Sequence, residues 1–236
     1  MKVLSIDIGV RNFAMSIENF DEEKIETLSK EFKSNFKTNI SKCNSNNEPT
    51  EKYSDFLKRF MTESSSTEIT TKIDFCDDDE KKPKRNKRNQ VILDNNIFYC
   101  IIKKLDEYKT YFDNVDYVVI ERQLKTNPNA QTVEHHVHAY FIHKYGLDKE
   151  VVSFESRHKT RVLCCPKKIL KEDKMVNIDK AYRKKWTTNK VMNMMIDRKD
   201  NTTFDYIFKQ NKSKADDLSD TICQAIAFTL LRFVGA

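Results

Sequence analysis

The sequence predicts an α/β protein built on a mixed sheet. Two short apolar segments at the N-terminus are separated by a tight turn at Gly9, as in an antiparallel hairpin. Two later apolar segments, 115–120 and 151–154, are each coupled to a stretch with apolar residues at helical spacing. The final stretch, 215–233, is a long amphipathic helix. Hairpin strands, helix, strand, helix, strand and two helices form an order that mixes antiparallel and parallel pairing.

Taken in order, residues 2–8 carry Val3, Leu4, Ile6 and Ile8 and read as a buried strand. Gly9 and Val10 make the turn, and residues 13–17 return as the second strand. Residues 23–32 are expected as a third strand. Residues 37–90 change character. SKCNSNNEPTEKY and ESSSTEITTK are rich in Ser, Thr, Asn and Glu, and CDDDEKKPKRNKRNQ sets an acidic run against a basic one. Such composition buries too little apolar surface to offset chain entropy. A partly disordered, charged insertion is expected there, with a short helix at 53–61. Its basic run, 81–88, reads as a solvated loop, with a nuclear signal or a DNA-contacting arm as the alternative.

Order resumes near Val91. Ile97, Ile101, Ile102 and Leu105 recur at helical spacing. Residues 115–120 form a strong apolar strand ending at Glu121. Residues 129–145 read as a helix with Val133, Val137, Tyr140 and Phe141 on one side, and 151–154 as a short strand. Residues 156–185 are strongly basic. A helix follows at 184–195, and the last, 215–233, has Leu218, Ile222, Ile226 and Leu230 as its inner stripe. The whole reads as one domain, 1–236, carrying the 37–90 insertion.

A chain of 236 residues is long enough for a real core, and 39% hydrophobic with 33% charged residues is polar but not disordered throughout. Lys and Arg outnumber Asp and Glu by 42 to 36, a balance that fits a polyanionic partner. With 3 glycines, glycine-rich phosphate loops are excluded. The 6 cysteines form no CxxC pair, the start lacks the apolar run of a secretory leader, and no stretch approaches the roughly 20 apolar residues of a membrane helix. The expectation is an intracellular protein with reduced thiols and no membrane contact. The vicinal Cys164 and Cys165 offer a redox reading that the rest of the sequence does not support.

Three acidic positions carry chemistry. Asp7 sits inside an apolar strand, Glu121 at the end of another, and Asp217 with Asp220 at the head of an amphipathic helix. A carboxylate inside an apolar strand is costly unless paired, protonated or bound to metal. Asp217 and Asp220 share a helix face by their spacing, as do Asp216 and Asp220. Alone, the pair on the helix reads as capping and dipole complementarity. Together, the three clusters point to a hard cation held by oxygen ligands, and paired ions of this kind cleave phosphodiesters.

The segments MKVLSIDIGVRNFAMSI, DYVVIERQLKTNPNA with the helix through Tyr140 and Phe141, YRKKWTTNKVMNMM, and KADDLSDTICQAIAF together resemble the RuvC-like Holliday junction resolvases, in the branch of poxviruses and other large DNA viruses. They cover a third to a half of the chain, in the right order. The resemblance implies an RNase H-like fold with a mixed five-stranded sheet flanked by helices, and a homodimer. It implies paired, magnesium-dependent nicking of four-way DNA junctions that leaves 5′-phosphate and 3′-hydroxyl ends, with two Mg2+ per site and Mn2+ as a substitute. Asp7, Glu121, Asp217 and Asp220 match the family's metal-binding acids. For its catalytic lysine the choice is Lys185, with Lys184 and Lys190 as rivals. DNA contacts are assigned to Arg122, Lys125, Asn127, Lys159, Lys184 and Lys190. The nucleus or a cytoplasmic site of viral replication is the implied compartment.

Weaker signals are read both ways. His135, His136, His138 and His143 invite a zinc site, but no cysteine lies in range to complete one, and packing or dimer contact is preferred. The polar run after Glu121 either donates to phosphates or is a turn in which Pro128 starts the helix. Phe13 either stacks on a base or lies in the core.

Overall fold

The computed structural model describes residues 1–9, 12–37, 41–75 and 91–236. In chain order the elements are β1 (Lys2–Asp7), β2 (Phe13–Phe20), α1 (Glu22–Asn35), α2 (Glu51–Glu63), β3 (Ser65–Ile73), α3 (Asn95–Glu107), α4 (Lys109–Phe112) and β4 (Tyr117–Glu121). There follow α5 (Pro128–Tyr145), β5 (Glu150–Phe154), α6 (Ser156–Val162), β6 (Lys168–Lys171), β7 (Lys174–Asn177), α7 (Lys180–Arg198), α8 (Asn201–Asp205) and α9 (Ala215–Thr229).

β1 is the middle of a five-stranded sheet ordered β3-β2-β1-β4-β5. β2 is antiparallel to β1 and to β3, whereas β4 is parallel to β1 and β5 to β4. This is the mixed sheet expected, in the RNase H-like arrangement. Because successive side chains alternate, β1 feeds two cores. Val3 joins the core with α1, α2, α7 and α9, while Leu4 and Ile6 join the core with α3 and α5. Covering both faces is what makes β1 continuously apolar. The same alternation puts Asp7 on the α9 face, in line with Val3. On β4, Val119 packs on the α9 side and Val118 and Ile120 on the other, so Glu121 falls on the face of Asp7.

Two expectations are corrected. Residues 23–32 form a helix, not the third strand. Ile25, Leu28 and Phe32 recur at three and four residues and are buried along one side of α1, while Asp21 caps it by accepting from the Lys24 amide at 3.1 Å. The third strand is β3, which lies in the Ser- and Thr-rich segment read as part of a partly disordered insertion. It pairs with β2 from Phe13 opposite Ile73 to Phe20 opposite Ser65. Ahead of it α2 buries Tyr53, Phe56, Leu57, Phe60 and Met61, in place of the shorter helix expected. Residues 41–75 are therefore ordered parts of the fold. The basic run at 81–88 lies outside the described residues.

Two buried polar contacts fix helices to the sheet. Arg198 at the end of α7 meets Glu18 of β2 at 3.1 Å and also bonds Thr67 of β3. Gln224 of α9 donates from Nε2 to the carbonyl oxygens of Ile6 at 3.2 Å and Val119 at 3.1 Å.

Candidate active site

The site lies where β1 and β4 end. Parallel pairing sets Ile6 beside Ile120, so Asp7 and Glu121, one residue further on, are neighbours. Gln224 sets the height of α9 over these strands. Asp220 and Asp217 lie about one and two turns before it, on the same side of the helix. Asp220 thereby comes within range of the Asp7 charge. Asp7 and Glu121 share a hydrogen bond. Burial, then the charge and hydrogen bond of Glu121 and the charge of Asp220, hold the Asp7 carboxyl well above the usual carboxylate range, against the opposing pull of Lys159.

α6 begins two residues after β5 ends, which brings its first turns to the same end of the sheet. Its Lys159 is buried with Nζ 3.0 Å from Asp220 Oδ1. Burial works against the ammonium, but Asp220, Glu121 and Asp7 outweigh it and raise Lys159 above the usual lysine range. From α7, Lys184 pairs with Asp216 and lies 3.4 Å from Asp217. Burial opposes the charge of Asp216 as well, yet the hydrogen bond and charge of Lys184 leave its carboxyl below the ordinary value.

The structure thus sets Asp7, Glu121 and Asp220 around the buried Lys159, and holds Asp216 and Asp217, about one turn earlier on α9, beside Lys184. Lys159 was assigned to DNA. Its interior position was hidden because it sits in a basic run in which each lysine looks alike. Lys185, the first choice for the catalytic lysine, is exposed and makes no ion pair or hydrogen bond among the described residues. Lys190, by contrast, does not face outward. It lies over the Trp186 ring at 5.9 Å, and burial lowers its proton affinity. Arg122 is exposed and pairs with Glu155 at 3.4 Å, and Lys125 is exposed. Asn127 caps α5 by accepting from the Ala130 amide at 3.3 Å, with Pro128 starting the helix, as the turn reading has it. Phe13 is a core residue against Phe75. His136 packs on Phe98.

The chemistry of the donor set suits a hard cation. Asp7, Glu121 and Asp220 lie around the Lys159 ammonium and Asp216 and Asp217 beside that of Lys184, which leaves negative charge that a divalent ion would neutralise. In this arrangement, however, no three His, Cys, Asp or Glu side chains among the described residues converge as a ready metal-ligand set. Asp7 is paired with Glu121, and the two lysines lie on the other acids.

The fold is RNase H-like, with acidic side chains at the ends of its central strands. Among solved structures, the chain is similar to the fowlpox virus resolvase in complex with its substrate Holliday junction DNA, with a TM-score of 0.52, 15% identity and 97% of each chain covered. It is also similar to Ydc2, the yeast mitochondrial Holliday junction resolvase, at 0.52 and 13% identity over 96% of this chain and 78% of that one. The chain shares the fold of these resolvases. By sequence it is 34% identical to Uncharacterized protein 170L of Invertebrate iridescent virus 6 over 146 residues, a match that spans 57% of this chain and 58% of that relative's length. It is 26% identical to Uncharacterized protein 97L of Invertebrate iridescent virus 3 over 227 residues, covering 96% and 98%. No protein-family model matches the chain. Among the described residues no helix is long and apolar enough to cross a membrane.

Proposed function

We propose that this protein is a structure-specific DNA endonuclease that resolves four-way Holliday junctions by paired nicks inside the cell. The observation that carries this reading is the meeting of Asp7, Glu121 and Asp220 around the buried Lys159, in a fold shared with two junction resolvases. Asp7, Glu121, Asp217 and Asp220 are the residues that would hold Mg2+ or Mn2+, which when bound supplies an activated water and neutralises charge on the scissile phosphate.

The chain's own groups do the rest. Lys159 is kept protonated by three acids, so it can donate to a phosphate oxygen as negative charge builds there. Lys184 holds Asp216 and Asp217 in place on the first turn of α9. Asp7 must give up its proton before it can ligate a cation, so cleavage rises with pH across the range in which Asp7 ionises. A two-fold dimer would offer two such sites to strands related by the junction's symmetry. The exposed cations among residues 156–185 would bind the arms.

The test is a labelled synthetic four-way junction beside a linear duplex and an RNA–DNA hybrid, each with Mg2+ and with EDTA, for wild type and Asp217→Asn. Paired nicks on the junction alone, absent with EDTA and in the variant, are the expected result. Cleavage of the hybrid or duplex in preference to the junction would remove the junction assignment.

A further inference from the structure

Between α6 and α7, the helices that bring Lys159 and Lys184 to the acids, the chain forms a separate two-stranded ribbon of β6 and β7. A hairpin this short is marginal in water by itself. Its base is fixed by Asn46, whose carbonyl accepts from the Lys167 amide at 2.9 Å. The Asn46 side chain bonds both backbone groups of Lys168, at 2.7 Å and 2.9 Å. Its tip turns on Glu172 and Asp173, both left-handed at φ 47° and 61°, as a two-residue hairpin turn requires.

Beyond that base, nothing among the described residues covers the ribbon. Leu170 and Met175 face each other across the strands and are 69% and 55% exposed. Ile169 and Val176 pair on the opposite face, where Val176 is 37% exposed. Lys168, Lys171 and Lys174 are interleaved with them and exposed. Lys167 and Ile178, at the foot of the ribbon, line a cleft of about 1160 Å³ together with Lys42, Arg157, Arg161 and Arg183. Burial, with Arg161 and Arg157, holds the His158 imidazole below its ordinary value against the pull of Glu155. Apolar tip and basic foot thus form one continuous surface.

We propose that this ribbon is a wedge for nucleic acid: phosphates lie along the lysines and the cleft, and the Leu170–Met175 face packs against a base exposed where strands part. Apolar side chains inserted at base steps, with cations on the flanking phosphates, are a recurring way of holding distorted DNA. A second copy of the chain is disfavoured as the occupant, since a two-fold contact between ribbons sets lysines against lysines. The inference rests on the junction-resolvase reading and adds to it how the branch point is gripped.

The test uses the full chain as Asp217→Asn, without Mg2+. Its DNAs are a four-way junction with 2-aminopurine at the branch point and the same labelled strand in linear duplex. The parent is expected to raise the junction's fluorescence by unstacking the labelled base. Leu170→Ala with Met175→Ala, both at exposed positions, should lose most of that rise while affinity falls less than about tenfold, because the phosphate backbone dominates binding. Lys168, Lys171 and Lys174 changed to Ala should weaken binding to both DNAs and reduce the salt slope by about one for each phosphate no longer neutralised. An undiminished fluorescence rise in the Leu170/Met175 variant overturns the wedge and leaves the resolvase reading standing. So does a loss of dimers in that variant by sedimentation, which would assign the ribbon to a copy of the chain. A parent with no preference for the junction over the duplex contradicts the resolvase reading instead. In that case an unstacking signal on any labelled DNA that depends on Leu170 and Met175 keeps the wedge, and its absence removes it.

Discussion

Burial and the neighbouring Glu121 raise the affinity of Asp7 for a proton, and this has a consequence for stability. The folded chain keeps that proton to higher pH than the unfolded chain does. The folded state therefore binds more protons, and stability falls as pH rises from the ordinary carboxylate range through the raised value. Asp7→Asn removes the cost. Its melting temperature at neutral pH should exceed wild type by a few degrees, at roughly 2–4 °C per kcal/mol for a chain of this size. The gain should vanish as pH falls into the ordinary carboxylate range, and nicking should be lost throughout. Scanning calorimetry across pH checks it, and a variant less stable than wild type at neutral pH contradicts it. Lys159→Met should lower nicking by about 10²–10³-fold, the cost of losing one preorganised donor, while junction binding survives. Nicking and gel-shift assays on one preparation separate the two effects. At this scale Asp7 was legible as a carboxylate inside an apolar strand, and the other acids only in combination with it. The role of Lys159 was not, because only the packing of α6 against α9 selects it from its basic neighbours.

The elements show where local sequence misleads. EEKIETLSKEF alternates charge and apolar character enough to pass for a strand, yet Ile25, Leu28 and Phe32 follow the helical period and α1 obeys them. SSSTEITTKI looks disordered by composition, but Thr and Ile are strand formers, and the strand's place beside β2 decides the outcome. Both misreadings concern elements whose structure depends on a partner distant in sequence. The contact between Glu18 and Arg198 is of that kind. It joins β2 to the end of α7 in the interior, where burial raises the Glu18 carboxyl although Arg198 pulls it down. Arg198→Ala leaves that carboxyl buried without its cation, at a cost of about 3–5 kcal/mol. The melting temperature should fall by roughly 10 °C. A shift of less than about 2 °C in thermal unfolding would mean that solvent reaches Glu18.

Over the whole molecule, the formal charge of +6 is unevenly used. Carboxyls gather at the ends of β1 and β4, and exposed lysines and arginines lie along α6, the β6–β7 ribbon and the start of α7. Junction binding by the Asp217→Asn protein should accordingly weaken with salt. The slope of log affinity against log salt should be about −0.9 for each phosphate neutralised, measured by fluorescence anisotropy. The fold class was legible at this scale because strand and helix periods repeat in a fixed order. The ribbon was not, because its short strands carry no core side and leave no periodic trace.

The most direct measurement of the central claim is cleavage of a supercoiled plasmid that extrudes a cruciform, with Mg2+ and with EDTA. Paired incision across one four-way junction should convert it to linear DNA without accumulating nicked circles, only with Mg2+, and not at all in Asp217→Asn. Nicked circles alone, or equal cutting of a plasmid without the cruciform, would contradict junction resolution by this chain.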